Sequence, residues 1–125
     1  MQKNFIFPAI VALALVAIVA IFVVLVKAKN APPPDSTIIF FYGDTCPHCK
    51  NVEEFFTEND VASRISFEQR EVYNSTANAS LMADKYKKCG ITNTNDMGVP
   101  LLWDGITCIQ GDEPIINYFK SKLGL

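Results

Sequence analysis

The chain is 125 residues long, half of them apolar, with four cysteines, one histidine and a formal net charge of −2. That length leaves room for one modest domain. From Asp35 onward 8 Lys+Arg face 13 Asp+Glu, a net of −5, which excludes the basic face that a nucleic-acid partner needs.

Residues 5–26, "FIFPAIVALALVAIVAIFVVLV", carry no charge over 22 positions. As a helix they reach roughly 33 Å, enough for a hydrocarbon core of about 30 Å. Residues 1–27 are therefore expected to be a transmembrane anchor or an uncleaved signal. A cleaved signal stays open, because Val26-Lys27-Ala28 offers small residues to a signal peptidase. Lys27 and Lys29 outnumber Lys3, so the charge count alone favours an inward-facing C-terminal domain. "APPPD" cannot continue a helix and favours polyproline II, so residues 28–35 are predicted to be a stiff Pro-rich linker. Residues 36–125 are the predicted folded domain.

"STIIFFY" (36–42) is a continuous β-branched and aromatic run, the pattern of a central strand buried on both faces. A "GDT" turn leads into a helix from about Cys46 to Asn59. Pro47 suits its first position, and Val52, Phe55 and Phe56 form its apolar stripe. "ISFEQREVY" (65–73) reads as an edge strand because its alternation is broken by charges. A helix follows over 78–89, with Leu81, Met82, Tyr86 and Cys89 on one side and Gly90 as its stop. "VPLLW" (99–103), a two-residue Asp104-Gly105 turn and "ITCIQ" (106–110) predict a β-hairpin. Asp112 is expected to cap a last helix, with Pro114 near its start and Ile115, Ile116, Phe119 and Leu123 as its stripe. The predicted class is α/β: βαβαββα, a central mixed four-stranded sheet flanked by helices.

"TCPHCK" places two thiols at the mouth of the first domain helix. Unpaired N–H groups and the helix dipole there favour a thiolate on Cys46, the species that attacks in disulfide exchange. One turn brings Cys49 alongside to resolve a mixed disulfide. His48 adds a hydrogen-bond donor and, when protonated, a positive charge, and stabilising the reduced thiolate makes the disulfide more oxidising. The alternatives are a Cys₄ zinc site completed by Cys89 and Cys108, and a copper(I) module built from Cys46, Cys49 and His48.

"FYGDTCPHCK" after an apolar strand, with "GVP" (98–100) some fifty residues later, resembles the thioredoxin superfamily over nearly all of residues 36–125. The resemblance implies a thioredoxin-like fold, Cys46 as nucleophile, Cys49 as resolving thiol, and Pro47 and His48 as residues that set the potential. It also implies a cis Val99-Pro100 bond, with Val99 and Pro100 pairing to the backbone of an extended substrate. The Pro-His dipeptide is similar to that of the Dsb-type periplasmic oxidases. Two departures are Thr45, where thioredoxins carry Trp, and Phe40, where they carry a buried acid. Glu53, one turn after Cys49, is a candidate substitute for that acid or a solvated residue.

Within the fold implied by the resemblance, Cys89 and Cys108 come close enough for a structural disulfide, with two free thiols or a second electron relay as alternatives. A structural disulfide needs an oxidising compartment, and on that ground the domain is expected outside the cytoplasm despite the lysine count. The expectation is a membrane-tethered thiol–disulfide oxidoreductase, with no cofactor and no metal, acting as an oxidant on thiol- or disulfide-containing proteins. Reduction or isomerisation is the alternative direction. A membrane redox partner of the DsbB, vitamin K epoxide reductase or DsbD type is implied for recycling. Asn74-Ser75-Thr76 and Asn78-Ala79-Ser80 match the glycosylation acceptor pattern.

Overall fold

The computed structural model describes residues 6–29, 34 and 37–125. The chain divides into two compact units, Met1–Pro33 and Pro34–Leu125. In the first, helix α1 (Ile6–Lys29) carries a 20-residue stretch, Pro8–Lys27, of mean hydropathy 3.4 with no part of it buried against protein. It is long and apolar enough to cross a membrane. Pro8 lies in the first turn, where no intrahelical bond is lost. The helix runs two residues past the predicted anchor because Ala28 and Lys29 are good helix formers. Of the predicted linker, residues 30–33 and 35 lie outside the described residues.

The second unit is a mixed α/β domain. Its strands β1 (Ile39–Tyr42), β2 (Glu68–Glu71), β3 (Leu101–Trp103) and β4 (Cys108–Gln110) form one sheet in the order β2-β1-β3-β4. β1 pairs parallel with β2, Phe40 opposite Gln69, and antiparallel with β3, Phe40 opposite Leu102. β3 and β4 are antiparallel. β2 is an edge strand, in keeping with its charges. It is shorter than the predicted 65–73. The Glu68 N–H donates to the Ile38 carbonyl and the Val72 N–H to that of Tyr42, both at 2.9 Å, and these two bonds bound the ladder.

The strand pleat sends alternate residues of β1 to opposite faces. Phe40 and Leu102 pack under helices α2 (Pro47–Glu58), α3 (Val61–Arg64) and α5 (Asp112–Leu123), against Val52, Phe55, Phe56, Val61, Ile115 and Phe119. Phe56 is the hub of this layer, its ring edge-on to Phe40, Phe67 and Phe119 at 5.1, 4.9 and 4.8 Å. On the other face, Ile39, Phe41, Leu101 and Trp103 pack with Tyr86 of α4 (Thr76–Lys88). Each apolar stripe predicted for a helix thus packs on one side of the sheet, with Leu81, Met82, Cys89, Ile116 and Leu123 only partly buried.

Four local readings are corrected. α3 was not foreseen, since it is a single turn entered through Asp60 in the left-handed region at φ 48°. α4 begins at Thr76 rather than 78, because the Ser75 hydroxyl accepts the Asn78 N–H at 3.3 Å and caps it. The hairpin turn spans 104–107 instead of two residues. One Asp104 oxygen accepts the N–H groups of both Ile106 and Thr107, at 2.9 and 2.6 Å, and so holds the wider loop. Finally, Gly111, not Asp112, occupies the N-cap of α5, at φ 90°, a value that favours glycine. Asp112 is thereby released to point elsewhere.

Candidate functional site

β1 ends at Tyr42, and the chain turns through residues 43–46, the Cys46 N–H donating to the Gly43 carbonyl at 3.1 Å. The Tyr73 ring lies across Gly43, in the space any side chain at that position would need. α2 then starts with Pro47 at its first position, whose missing N–H is no loss there. Cys46 is the N-cap residue, and its sulfur takes the acceptor role usually played by a Ser or Asp oxygen. The Cys49 N–H donates to Cys46 Sγ at 3.2 Å. Cys46 and Cys49 are joined as a disulfide, with Cα atoms 5.2 Å apart. Cys49 is fully buried, whereas Cys46 keeps 6% of its surface exposed. A reactant reaches Cys46 first.

His48 is open to solvent, with 71% of its side chain exposed, and its Nδ1 lies 3.0 Å from Asp112 Oδ2. Asn51 Nδ2 donates to the same oxygen at 2.6 Å. These contacts, the Asn51 bond first and the His48 bond second, draw the Asp112 carboxyl down to about 2. A charged acceptor serving two donors on α2 thus ties the start of α5 to the Cys46 turn.

The third component is the loop before β3. The Val99-Pro100 bond is cis, and the Val99 carbonyl oxygen lies 3.8 Å from Cys46 Sγ. With that sulfur bonded to Cys49 it carries no proton, so this is a van der Waals approach. Tyr86, fully buried on α4, anchors the loop from beneath. Its hydroxyl donates to the Gly98 carbonyl at 2.7 Å and accepts the Gly98 N–H at 3.0 Å. Gln110 Nε2 donates to the Tyr86 oxygen at 2.6 Å and to the Asp96 carbonyl at 3.1 Å. The Gly111 N–H donates to the Pro100 carbonyl at 3.1 Å. A groove of about 320 Å³ runs alongside, lined by His48, Met97, Val99, Gln110 and Asp112 among others. The predicted residues Cys46, Pro47, His48, Cys49, Val99 and Pro100 therefore meet at one surface.

Cys89 and Cys108 lie elsewhere, bonded to each other with Cα atoms 6.0 Å apart. Cys89 ends α4, and Cys108 stands opposite Trp103 at the end of β3 remote from Val99. Four residues of extended chain separate those ends by roughly 13 Å. The four cysteines cannot converge on one ion, which removes the Cys₄ alternative. Among the described residues, no group of three or more His, Cys, Asp or Glu is arranged to hold a metal ion.

Two further candidates are accounted for by their contacts. Glu53 pairs with Lys50 at 3.1 Å on the helix surface, while Phe40 is fully buried in the sheet. Asn78 spends its amide on the Glu71 carbonyl at 2.7 Å, and Asn74 donates to Asp44 Oδ2 at 2.9 Å. Sequence reasoning missed Asp112, Asn51, Tyr86 and Gln110 as parts of the site. His48 and Asp112 are 64 positions apart, and no local pattern links them. Tyr86 was read only as one member of an apolar stripe. The usable signal was its phenolic hydroxyl, which needs a partner when buried. No protein-family model and no curated protein matches the chain, so the reading of the site rests on its own geometry.

Proposed function

We propose that the protein is a membrane-tethered thiol–disulfide oxidoreductase with a thioredoxin-like domain, working as an oxidant on protein thiols. The observation that carries this reading is the position of Cys46. Its sulfur caps a helix, accepts a backbone N–H at 3.2 Å and is the more exposed member of a closed pair. Such a sulfur is a good leaving group and a good target, because its anion is stabilised by helix-end amides. The sheet order, the helix that follows the first strand and the approach of the Val99 carbonyl to the sulfur support the fold assignment.

The reaction is a two-step exchange. A substrate thiolate attacks Cys46 Sγ, the Cys46–Cys49 bond breaks, and Cys49 leaves as a thiolate that takes a proton from solvent. A second substrate thiolate then attacks the substrate sulfur of the mixed disulfide and expels Cys46 as a thiolate. The substrate loses two electrons to the protein and releases its two thiol protons to solvent, from which Cys49 takes one back while Cys46 stays a thiolate. A membrane partner of the DsbB or vitamin K epoxide reductase type would restore the disulfide. A DsbD-type partner would serve the reverse direction.

Oxidation is favoured by His48 between the cysteines and by apolar Phe40 at the position where a thioredoxin acid would accept the Cys49 proton. Glu53, the candidate substitute, is paired with Lys50 at 3.1 Å. The Cys89–Cys108 disulfide supports an extracytoplasmic domain, since such bonds persist in oxidising spaces.

The test is the reduction potential of the Cys46/Cys49 couple in the full chain. A value near about −120 mV identifies an oxidant, and one near about −270 mV a reductant. Reduced Cys46 should alkylate with a midpoint below the ordinary value of about 8.5. A Cys49→Ser variant should accumulate mixed disulfides through Cys46, and Cys46→Ser should abolish exchange. An ordinary midpoint with no reversible closure onto Cys49 rejects the proposal. Stoichiometric copper(I) binding without exchange activity would favour the metal-carrying reading instead.

A further inference from the structure

Anything joined to Cys46 must run past the Val99 carbonyl, 3.8 Å from the sulfur. No backbone hydrogen bond ties Val99 to another described residue. Its peptide groups are thus available to an incoming chain, and their position depends on what holds the neighbouring residues. Pro100 is held through the N–H of Gly111, the N-cap of α5. Among the described residues, Gly98 is held by Tyr86, whose hydroxyl binds both its N–H and its carbonyl.

We propose that Tyr86 is the positioning residue for substrate docking: its buried hydroxyl sets Gly98 and, through it, the Val99 peptide groups against which a protein substrate aligns. This inference rests on the exchange reaction at Cys46 proposed above. The phenol takes part in three hydrogen bonds, two with Gly98 and one from Gln110, which also donates to the Asp96 carbonyl. The loop is therefore pinned at two points, 96 and 98, by side chains from α4 and β4. Cys89 lies three residues beyond Tyr86, and Cys108 two before Gln110. Their disulfide joins the same two elements that supply the clamp. No atom of Tyr86 takes part in the sulfur chemistry, so its removal should alter alignment and leave the reactivity of the couple intact.

Tyr86→Phe in the full chain, in detergent, is the direct test. The probes are an extended peptide carrying two thiols, and dithiothreitol, which is too small to span the loop. In each reaction the probe dithiol is oxidised and the Cys46–Cys49 bond is reduced. The peptide rate should fall by about 10- to 100-fold, as expected when reacting groups are misplaced by about 1 Å. The dithiothreitol rate and the equilibrium constant of the exchange with dithiothreitol should stay within about twofold of the unsubstituted protein. Gln110→Ala, at an exposed position, should lower the peptide rate in the same direction by a smaller factor, and it serves if Tyr86→Phe does not fold. Equal losses with both probes, or an unchanged peptide rate in the folded variants, overturns the inference alone. If the unsubstituted protein exchanges with neither probe, the underlying reading fails and this inference fails with it.

Discussion

The Asp112 carboxylate joins two helices with one oxygen, receiving Asn51 and His48 of α2 from the first turn of α5. Its carboxyl is held at about 2 against an ordinary 3.8, so it is the folded state that favours the ionised form. The stabilisation is fully present above the ordinary value and is lost as pH falls through about 2. Asp112→Ala should therefore flatten the acid limb of the stability profile between about pH 4 and 2. Urea unfolding at a series of pH values measures this, and an unchanged acid limb would show that the bonds to Asn51 and His48 contribute nothing. Asp112 was legible in the sequence only as a helix cap. The glycine ahead of it, at φ 90°, took the cap position and turned the acid toward α2. Cys46 shows the opposite case. The Cys-Pro-His-Cys run states its own geometry, since proline fixes the helix start and the spacing of three brings the thiols into register.

At the scale of elements, what the sequence displayed well was periodic. Phe40 between Ile39 and Phe41 announced a strand buried on both faces, and Val52, Phe55 and Phe56 a helix stripe. What it concealed was set by single side chains reaching backbone groups. Asp104 widened a turn that Asp-Gly had marked as tight, and the Ser75 hydroxyl drew α4 two residues upstream. α3 escaped notice because its entry depends on one left-handed residue, Asp60. The Cys89–Cys108 bond joins α4 to β4 across a separation of 19 residues. A loop of that size is worth about 3 kcal/mol through the unfolded state. Replacing both cysteines with alanine should lower stability by about that amount while the Cys46/Cys49 potential holds. Denaturant titration and a redox titration of the same variant check both halves. A shifted potential would mean that the second pair exchanges electrons with the first.

For the whole molecule, the division at Pro33 and Pro34 separates a helix with a long apolar stretch from a domain with its own two-sided core. Deleting residues 1–33 should yield a domain that stays in the aqueous phase of a detergent partition with its circular dichroism intact. The full chain should enter the detergent phase. A precipitated or unfolded deletion product would show that the domain's fold depends on residues 1–33. The outer strands of the sheet carry a last consequence. β2 reads Glu-Gln-Arg-Glu and β4 is only three residues long, and short, charged margins make poor templates for stacking. A second copy that met either margin would find few backbone groups in a row to pair with, and at β2 a line of charges.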